Sequence, residues 1–414
     1  MMFACLAPHG PDFSPQRPNA LDDKVENQAE LALDEIARDQ RRSGQAIAQS
    51  VGPLGHQRVS LIADETGGGL QRGLRRAQGR SPVEGCRESI FRAMTRSKPF
   101  ARPPALRPGA RIALIAPAGP CLERDDLTRG EELCRALGYE PQVGRSAGAR
   151  YGYLAGTDDE RVKDLNAALG DDKVDAVWCL RGGFGMTRIL DRVDFGALAR
   201  HPKVVIGYSD ITALLNGALR VANLVTFHGP MSRSPLGPFA RWHFDRVLTV
   251  PGPAGQLGRL PAPADVLVPK ENRIATLQPG VAEGPLVGGN LSLLQCLVGT
   301  KYFPDLDGGI LFLEDVGEDL YRVDRMLAHL RAVGALTQVA GVLIGRFTEM
   351  KREAGDGALG FDEVLATYFG PLKVPVAYGF PIGHIDEQWT LPLGVRARLD
   401  ATKGELELLE PAVR

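Results

Sequence analysis

From Leu106 onward, short runs of β-branched and other apolar residues alternate with longer stretches in which apolar residues recur every three or four positions. Unbroken apolar runs bounded by turn residues predict strands buried on both faces, and the three-to-four spacing predicts amphipathic helices. The first run, Arg111-Ile112-Ala113-Leu114-Ile115-Ala116, stops at Pro117-Ala118-Gly119-Pro120. A helix through Leu127, Leu133 and Leu137 follows and ends at Gly138, a residue suited to the left-handed position after a helix. Thr157-Asp158-Asp159-Glu160 has capping-box spacing and opens a helix carrying Val162, Leu165 and Leu169. Further strands are expected at Ala176-Val177-Trp178-Cys179-Leu180, at the run ending in Gly207, and at Val225-Thr226-Phe227. This alternation implies an α/β domain with a mostly parallel sheet, whose ligands bind beyond the carboxyl ends of the strands. Three loops fall there: 117–120, 181–185 and 207–210.

The pattern weakens between Pro230 and about Gly284, where prolines and glycines are frequent, so the middle of this stretch reads as a crossing between domains with room for a few short strands. It then resumes. Gly288-Gly289-Asn290 precedes a short helix, and the strand Ile310-Leu311-Phe312-Leu313 runs directly into Glu314-Asp315. A helix through Leu320, Val323, Leu327 and Leu330 follows, then the strand Gly341-Val342-Leu343-Ile344-Gly345. Short strands and turns occupy the rest, with Gly383-His384 in one of the turns. The resulting division is an extension over 1–105, a first domain over 106–245, a linker over 246–283 and a smaller α+β domain over 284–410.

Residues 1–93 hold one possible amphipathic helix over 29–49 and one strand-like run over 59–63. The apolar surface there is too small to offset the entropy of ordering the segment. Because regular patterning begins abruptly after Pro103-Pro104, a native start of translation at Met94 is expected in preference to a disordered tail.

Composition narrows the function. A formal net charge of -1, with 24% charged residues, gives no basic excess for nucleic acid and no charge block for a membrane surface. Six scattered cysteines without a C-x-x-C pair indicate neither a zinc site nor a disulfide framework, and fit a reducing, cytoplasmic setting. No metal and no cofactor is expected.

The chemistry concentrates at Gly207-Tyr208-Ser209-Asp210. A serine at a strand-to-helix turn can stand clear of its backbone near free helix N–H groups, as a nucleophile requires. It can equally be an N-cap. The loop Arg181-Gly182-Gly183-Phe184-Gly185 lacks the G-x-G-x-x-G spacing and a Walker lysine, which argues against a nucleotide site. Its glycines suit a tight turn, and also a close backbone approach to an oxyanion. Of the five histidines after residue 106, His228 follows a strand end and His384 sits in a glycine-flanked turn that displays a ring. Glu314 is held at a strand end, although a solvated carboxylate would occupy the same position.

The chain from about Leu106 to Leu409 resembles the LD-carboxypeptidases, serine peptidase family S66. The likeness rests on six motifs in order: 181–185; Gly207-Tyr208-Ser209-Asp210-Ile211-Thr212; Phe227-His228-Gly229-Pro230-Met231; Gly288-Gly289-Asn290-Leu291-Ser292; Leu311-Phe312-Leu313-Glu314-Asp315 with Tyr321-Arg322-Val323-Asp324-Arg325; and Gly383-His384 with Leu391-Pro392-Leu393-Gly394. Phe184 departs from the pattern, since many relatives have Tyr there.

The resemblance implies a Rossmann-like first domain, a β-rich swivelling second domain and a homodimer. It also implies a triad of Ser209 as nucleophile, His384 as base and acid, and Glu314 as the orienting carboxylate. The oxyanion hole would come from the N–H groups of Asp210 and Gly183. The implied reaction is release of terminal D-alanine from a murein tetrapeptide. The substrate's carboxylate needs a cationic or N–H-rich receptor, for which Arg181, Arg188, Arg325 and Asn290 are candidates. Two alternatives follow. One is a microcin-immunity-type amidase acting on peptidyl or acyl-sulfamoyl adenylates, for which Trp389 would help line a nucleobase pocket. The other is a non-catalytic module that binds peptidoglycan fragments.

Overall fold

A computed structural model describes residues 99–261, 272–351 and 359–414. The expectations for residues 1–93, including the start at Met94, lie outside the described residues.

Five parallel strands form the first sheet: β1 (Arg111–Ile115), β2 (Glu140–Val143), β3 (Ala176–Cys179), β4 (Val204–Gly207) and β5 (Thr226–His228). Their spatial order, β2-β1-β3-β4-β5, is a doubly wound arrangement. The apolar runs of the sequence become these strands because both faces are covered: β3 and β4 are buried at every residue. Helix α1 (Asp126–Ala136) stops before Gly138, and α2 (Asp158–Gly170) opens after Thr157, as their end signals predict; α3 (Met186–Ile189), α4 (Phe195–Arg200) and α6 (Pro238–Leu248) are further helices of this part of the chain. Gly138 adopts φ +82° just beyond α1. At α2, Thr157 Oγ1 accepts from the Glu160 N–H while Glu160 Oε2 accepts from the Thr157 N–H.

The second sheet contains β6 (Pro253–Gln256), β7 (Ala275–Gln278), β8 (Val281–Asn290), β9 (Ile310–Val316), β10 (Gly341–Thr348), β11 (Val376–Tyr378), β13 (Arg396–Asp400) and β14 (Glu405–Pro411). Strands β8 to β11 run parallel at its centre, and antiparallel strands flank them on both sides. The stretch 246–283, read from sequence as the crossing, supplies the two edge strands β6 and β7 of this sheet. Edges tolerate the proline and glycine that made the stretch read as linker.

Two features bind the sheets into one unit. The strand β12 (Leu391–Leu393) leaves the second sheet's part of the chain and adds to the first, antiparallel to β5, with Leu391 opposite His228. The helix α5 (Thr212–Val221), which follows β4, is tied to β8: Asn216 Nδ2 donates to the Gly288 carbonyl at 3.0 Å, and the Asn290 N–H donates to Thr212 Oγ1 at 3.1 Å. The apolar core runs without a break through both sheets.

Candidate active site

Strand β4 ends at Gly207, and two residues later Ser209 has φ +60°, in the left-handed region. For a residue with a Cβ this costs about 1–2 kcal/mol. A 3₁₀ turn over Ser209–Ile211 then leads into α5. The Ser209 hydroxyl caps neither helix; the cap position of the 3₁₀ turn is Tyr208, and no side chain caps it. The strained turn therefore projects the hydroxyl away from its own helix instead of folding it back, which is the geometry of a nucleophile elbow.

The loop 181–185 comes up against this serine. A Cβ on Gly182 would lie 2.8 Å from Ser209 Cβ and 3.0 Å from its Oγ, so only glycine allows the approach. The Gly182 carbonyl accepts from the Gly119 N–H at 2.7 Å. In a trans peptide the N–H points opposite to the carbonyl, so the Gly183 N–H faces away from Gly119. Among the described residues, no loop, turn or side-chain hydrogen bond uses the N–H of Gly183 or of Asp210.

The Asp210 carboxylate works as well. It is buried, and its Oδ2 accepts from the Met186 N–H at 2.7 Å, joining the end of the glycine loop to the serine turn. Burial pushes its pKa up to about 6, against the Met186 hydrogen bond and the charge of Arg161. Arg161, fully buried on α2, holds the loop from the other side. Its guanidinium donates to the carbonyls of Pro117 and Gly185 and pairs with Asp158.

Glu314 and His384 meet from different elements. Glu314 lies near the carboxyl end of β9 and is completely buried, and its Oε2 is 2.8 Å from His384 Nδ1. The approach depends on Gly383, which has φ +110° and where a Cβ would fall 2.6 Å from Glu314 Oε2. The His384 ring packs edge-on against Tyr208, the residue before Ser209, with centroids 4.8 Å apart. His228 lies beside this assembly, buried on β5, with centroids 5.9 Å from Tyr208 and 5.2 Å from Phe312. Neither ring nitrogen has a partner among the described residues, and burial, with the nearby His384, pushes its pKa down to about 3.

One cavity opens at Tyr208 and His384, and another at the glycine loop. The first, of about 690 Å³, is lined by Tyr208 and His384 together with Arg129, Leu133, Arg233 and Leu236. The other, of about 650 Å³, is lined by Gly183, Arg181, Arg150, Tyr153, Phe184 and Leu122. Phe184, half-exposed, stacks obliquely on Tyr153 at 5.8 Å.

The structure thus brings together Ser209, Gly183 and Asp210 on one side and Glu314 with His384 on the other. Arg181 lines the second cavity, donates to the Pro120 carbonyl at 2.8 Å and pairs with no carboxylate among the described residues. Arg188 is engaged in a two-pronged pair with Asp158, at 3.0 and 2.8 Å. Asn290 is buried, bonds Asp315 at 2.9 Å and caps α7 (Leu291–Leu297). Arg325, exposed on α8 (Leu320–Ala332), lies over the Tyr321 ring. Trp389 is buried and donates to the Gly258 carbonyl at 2.8 Å, so its face is not free for a nucleobase.

Sequence reasoning missed Arg161 and Arg233. Nothing local marks Arg161, a charged residue on a helix whose burial only packing decides. Arg233 did carry a signal, since it follows β5 at the same carboxyl edge of the sheet as the three loops.

The model of the LD-carboxypeptidase N-terminal domain matches residues 112–229, and that of the LD-carboxypeptidase C-terminal domain matches residues 283–399. The chain belongs to the LD-carboxypeptidase family, peptidase family S66, whose members are serine-type hydrolases. The murein tetrapeptide carboxypeptidase of Pseudomonas aeruginosa is 35% identical over 301 residues, 71% of this chain and 94% of that one. The crystal structure of muramoyltetrapeptide carboxypeptidase from Oxalobacter formigenes superposes with TM-score 0.62 at 33% identity, covering 72% of this chain and 98% of the other. The microcin C7 self-immunity protein MccF of Escherichia coli is 28% identical over 77% of this chain and 98% of its own. A structure of MccF in complex with glutamyl sulfamoyl guanosine has TM-score 0.68 at 26% identity, covering 76% of this chain and 99% of that one.

Proposed function

We propose that the protein is a serine carboxypeptidase that hydrolyses the L,D-amide bond releasing terminal D-alanine from murein tetrapeptide. Ser209 attacks the carbonyl while His384 takes its proton. Glu314 fixes the imidazole through Nδ1 and stabilises the imidazolium, and the Gly183 and Asp210 N–H groups receive the oxyanion. His384 then returns the proton to the leaving amine, and water releases the acyl-enzyme. The observation that carries this reading is the left-handed Ser209 standing uncapped beside unused N–H groups, with a buried Glu314 gripping His384 at 2.8 Å. No step calls on a metal or cofactor. We also propose a cytoplasmic homodimer, on cysteine usage and the family resemblance.

The test is release of D-alanine from L-Ala-D-Glu-meso-diaminopimelate-D-Ala, followed by LC–MS. The wild type is expected to turn over, and Ser209→Ala to lose about 10³-fold or more in kcat. Turnover unchanged in Ser209→Ala would sink the triad.

MccF keeps a second reading open, an amidase acting on peptidyl or acyl-sulfamoyl nucleotides. The buried Trp389 counts against it, because the aromatic ring expected to line a nucleobase pocket is spent in the core. Assaying a peptidyl-adenylate beside the tetrapeptide separates the two. A non-catalytic binding module would leave the strained serine and the Glu314–His384 pair without a purpose.

A further inference from the structure

The two cavities, one lined by Tyr208 and the other by Gly183, are not equivalent, because only the first is lined by His384. In the reaction proposed above, on which this inference rests, His384 protonates the departing nitrogen. The leaving residue must therefore occupy the His384 cavity, and the acyl portion must lie toward Gly183. In a C-terminal amino acid the free carboxylate is one carbon removed from that nitrogen. An exopeptidase needs a cationic or N–H-rich receptor for that carboxylate, and two arginines, Arg129 and Arg233, line the cavity.

They differ in what they already bind. Arg129 sits among three carboxylates: Asp126 at 2.6 Å, Glu123 at 3.0 Å and Asp125 at 3.6 Å. Among the described residues, Arg233 reaches only Asp126, at 3.5 Å. That carboxylate is already taken up, since it also accepts from Arg129 and from the N–H groups of Leu122 at 2.7 Å and Glu123 at 3.1 Å. The Nε of Arg233 is buried and has no partner among the described residues. An arginine whose side chain is 28% exposed, and whose contact to a shared carboxylate is one long bond from Nη1, has Nη donors left for a planar, two-oxygen anion.

Its backbone is fixed. The loop after β5 is pinned where Trp178 Nε1 donates to the Pro230 carbonyl at 2.8 Å and the Ser232 N–H donates to the Cys179 carbonyl at 3.1 Å. The other acidic groups lining the cavity, Glu132 and Asp386, are exposed at its rim. The walls near Arg233 include Leu236 and Leu133, both half-buried, against which a small apolar side chain can rest.

We propose that Arg233 is the receptor for the C-terminal carboxylate of the substrate, and that it restricts the enzyme to free C-terminal residues. A cavity of about 690 Å³ does not by its size exclude residues larger than alanine, so selection falls on the carboxylate.

The test compares the tetrapeptide acid with the same peptide ending in D-alaninamide. The wild type is expected to favour the acid, and Arg233→Gln to lower kcat/KM for the acid by about 100-fold. Turnover of the amide should be unchanged, and Arg233→Lys should restore part of the loss. A second readout is labelling of Ser209 by a fluorophosphonate. D-alanine, and not D-alaninamide, should slow labelling of the wild type and have no effect on Arg233→Gln. Equal losses for acid and amide, or no loss for either, overturn the assignment while leaving D-alanine release by the wild type intact. A wild type that releases no D-alanine overturns the proposed reaction and this inference with it.

Discussion

His384 Nδ1 lies 2.8 Å from Glu314 Oε2, although the two residues are 70 positions apart and stand on different elements. Gly383 makes the approach possible, because any Cβ there would fall 2.6 Å from the same oxygen. Gly383→Ala is therefore expected to strain a backbone at φ +110° and push the two side chains apart. The strain alone costs about 1–3 kcal/mol. The displaced base should lower kcat by about 100-fold. Urea unfolding and D-alanine release measured on one preparation check both effects. A fully active Gly383→Ala would show that the close approach is dispensable.

Asp210 divides its work between a backbone donor and a carboxylate. Asp210→Ala leaves the buried Met186 N–H without an acceptor and should destabilise the protein by about 1–3 kcal/mol. It should also loosen the glycine loop and lower kcat. Asp210→Asn keeps an oxygen in place, so most stability and activity should survive. Two variants equally impaired would mean that the charge, rather than the hydrogen bond, is what the loop requires.

The buried histidines set the behaviour in acid. Burial, reinforced by the neighbouring His384, pushes the pKa of His228 down to about 3, and burial pushes that of His243 down to about 4. A depressed pKa in the folded state means that the unfolded chain binds the proton more readily. The stability from each histidine is thus complete above about 6.5 and is lost as pH falls toward the folded value. Asp210 acts in the opposite sense, since its pKa is raised from 3.8 to about 6; its contribution is present in acid and is lost as pH rises through 6. Replacing His228 by Phe removes one of these protons and leaves the rest. The stability difference between His228→Phe and the wild type should therefore shift in favour of the variant as pH falls from 6 to 4, by about 1.4 kcal/mol per pH unit. Urea unfolding at several pH values measures it. Parallel pH dependences would show that His228 does not resist protonation in the fold.

Periodicity and end signals made much of the first sheet legible. The runs at 111–116 and 176–180 became β1 and β3, and the capping box at Thr157 opened α2. These features are local, so the sequence states them directly. Short strands are expected in the last part of the chain; what stays hidden is that one of them, β12, joins the edge of the first sheet, where its proline is tolerated. The pattern also leaves room for a few short strands between 230 and 284, but the proline- and glycine-rich composition gives no sign that β6 and β7 become the edges of the second sheet.

By itself the sequence determined the alternating α/β pattern with a mostly parallel sheet, the order of six motifs, and which serine, glutamate and histidine to watch. Tertiary structure alone decided that Ser209 is left-handed and uncapped, and that Arg188, Asn290 and Trp389 have their polar groups engaged in structural bonds. It also left Arg233 with an unused donor beside His384. The division has a physical cause. Periodicity and caps are set by neighbours along the chain, whereas which polar atoms remain unpaired depends on every group that packing brings near them.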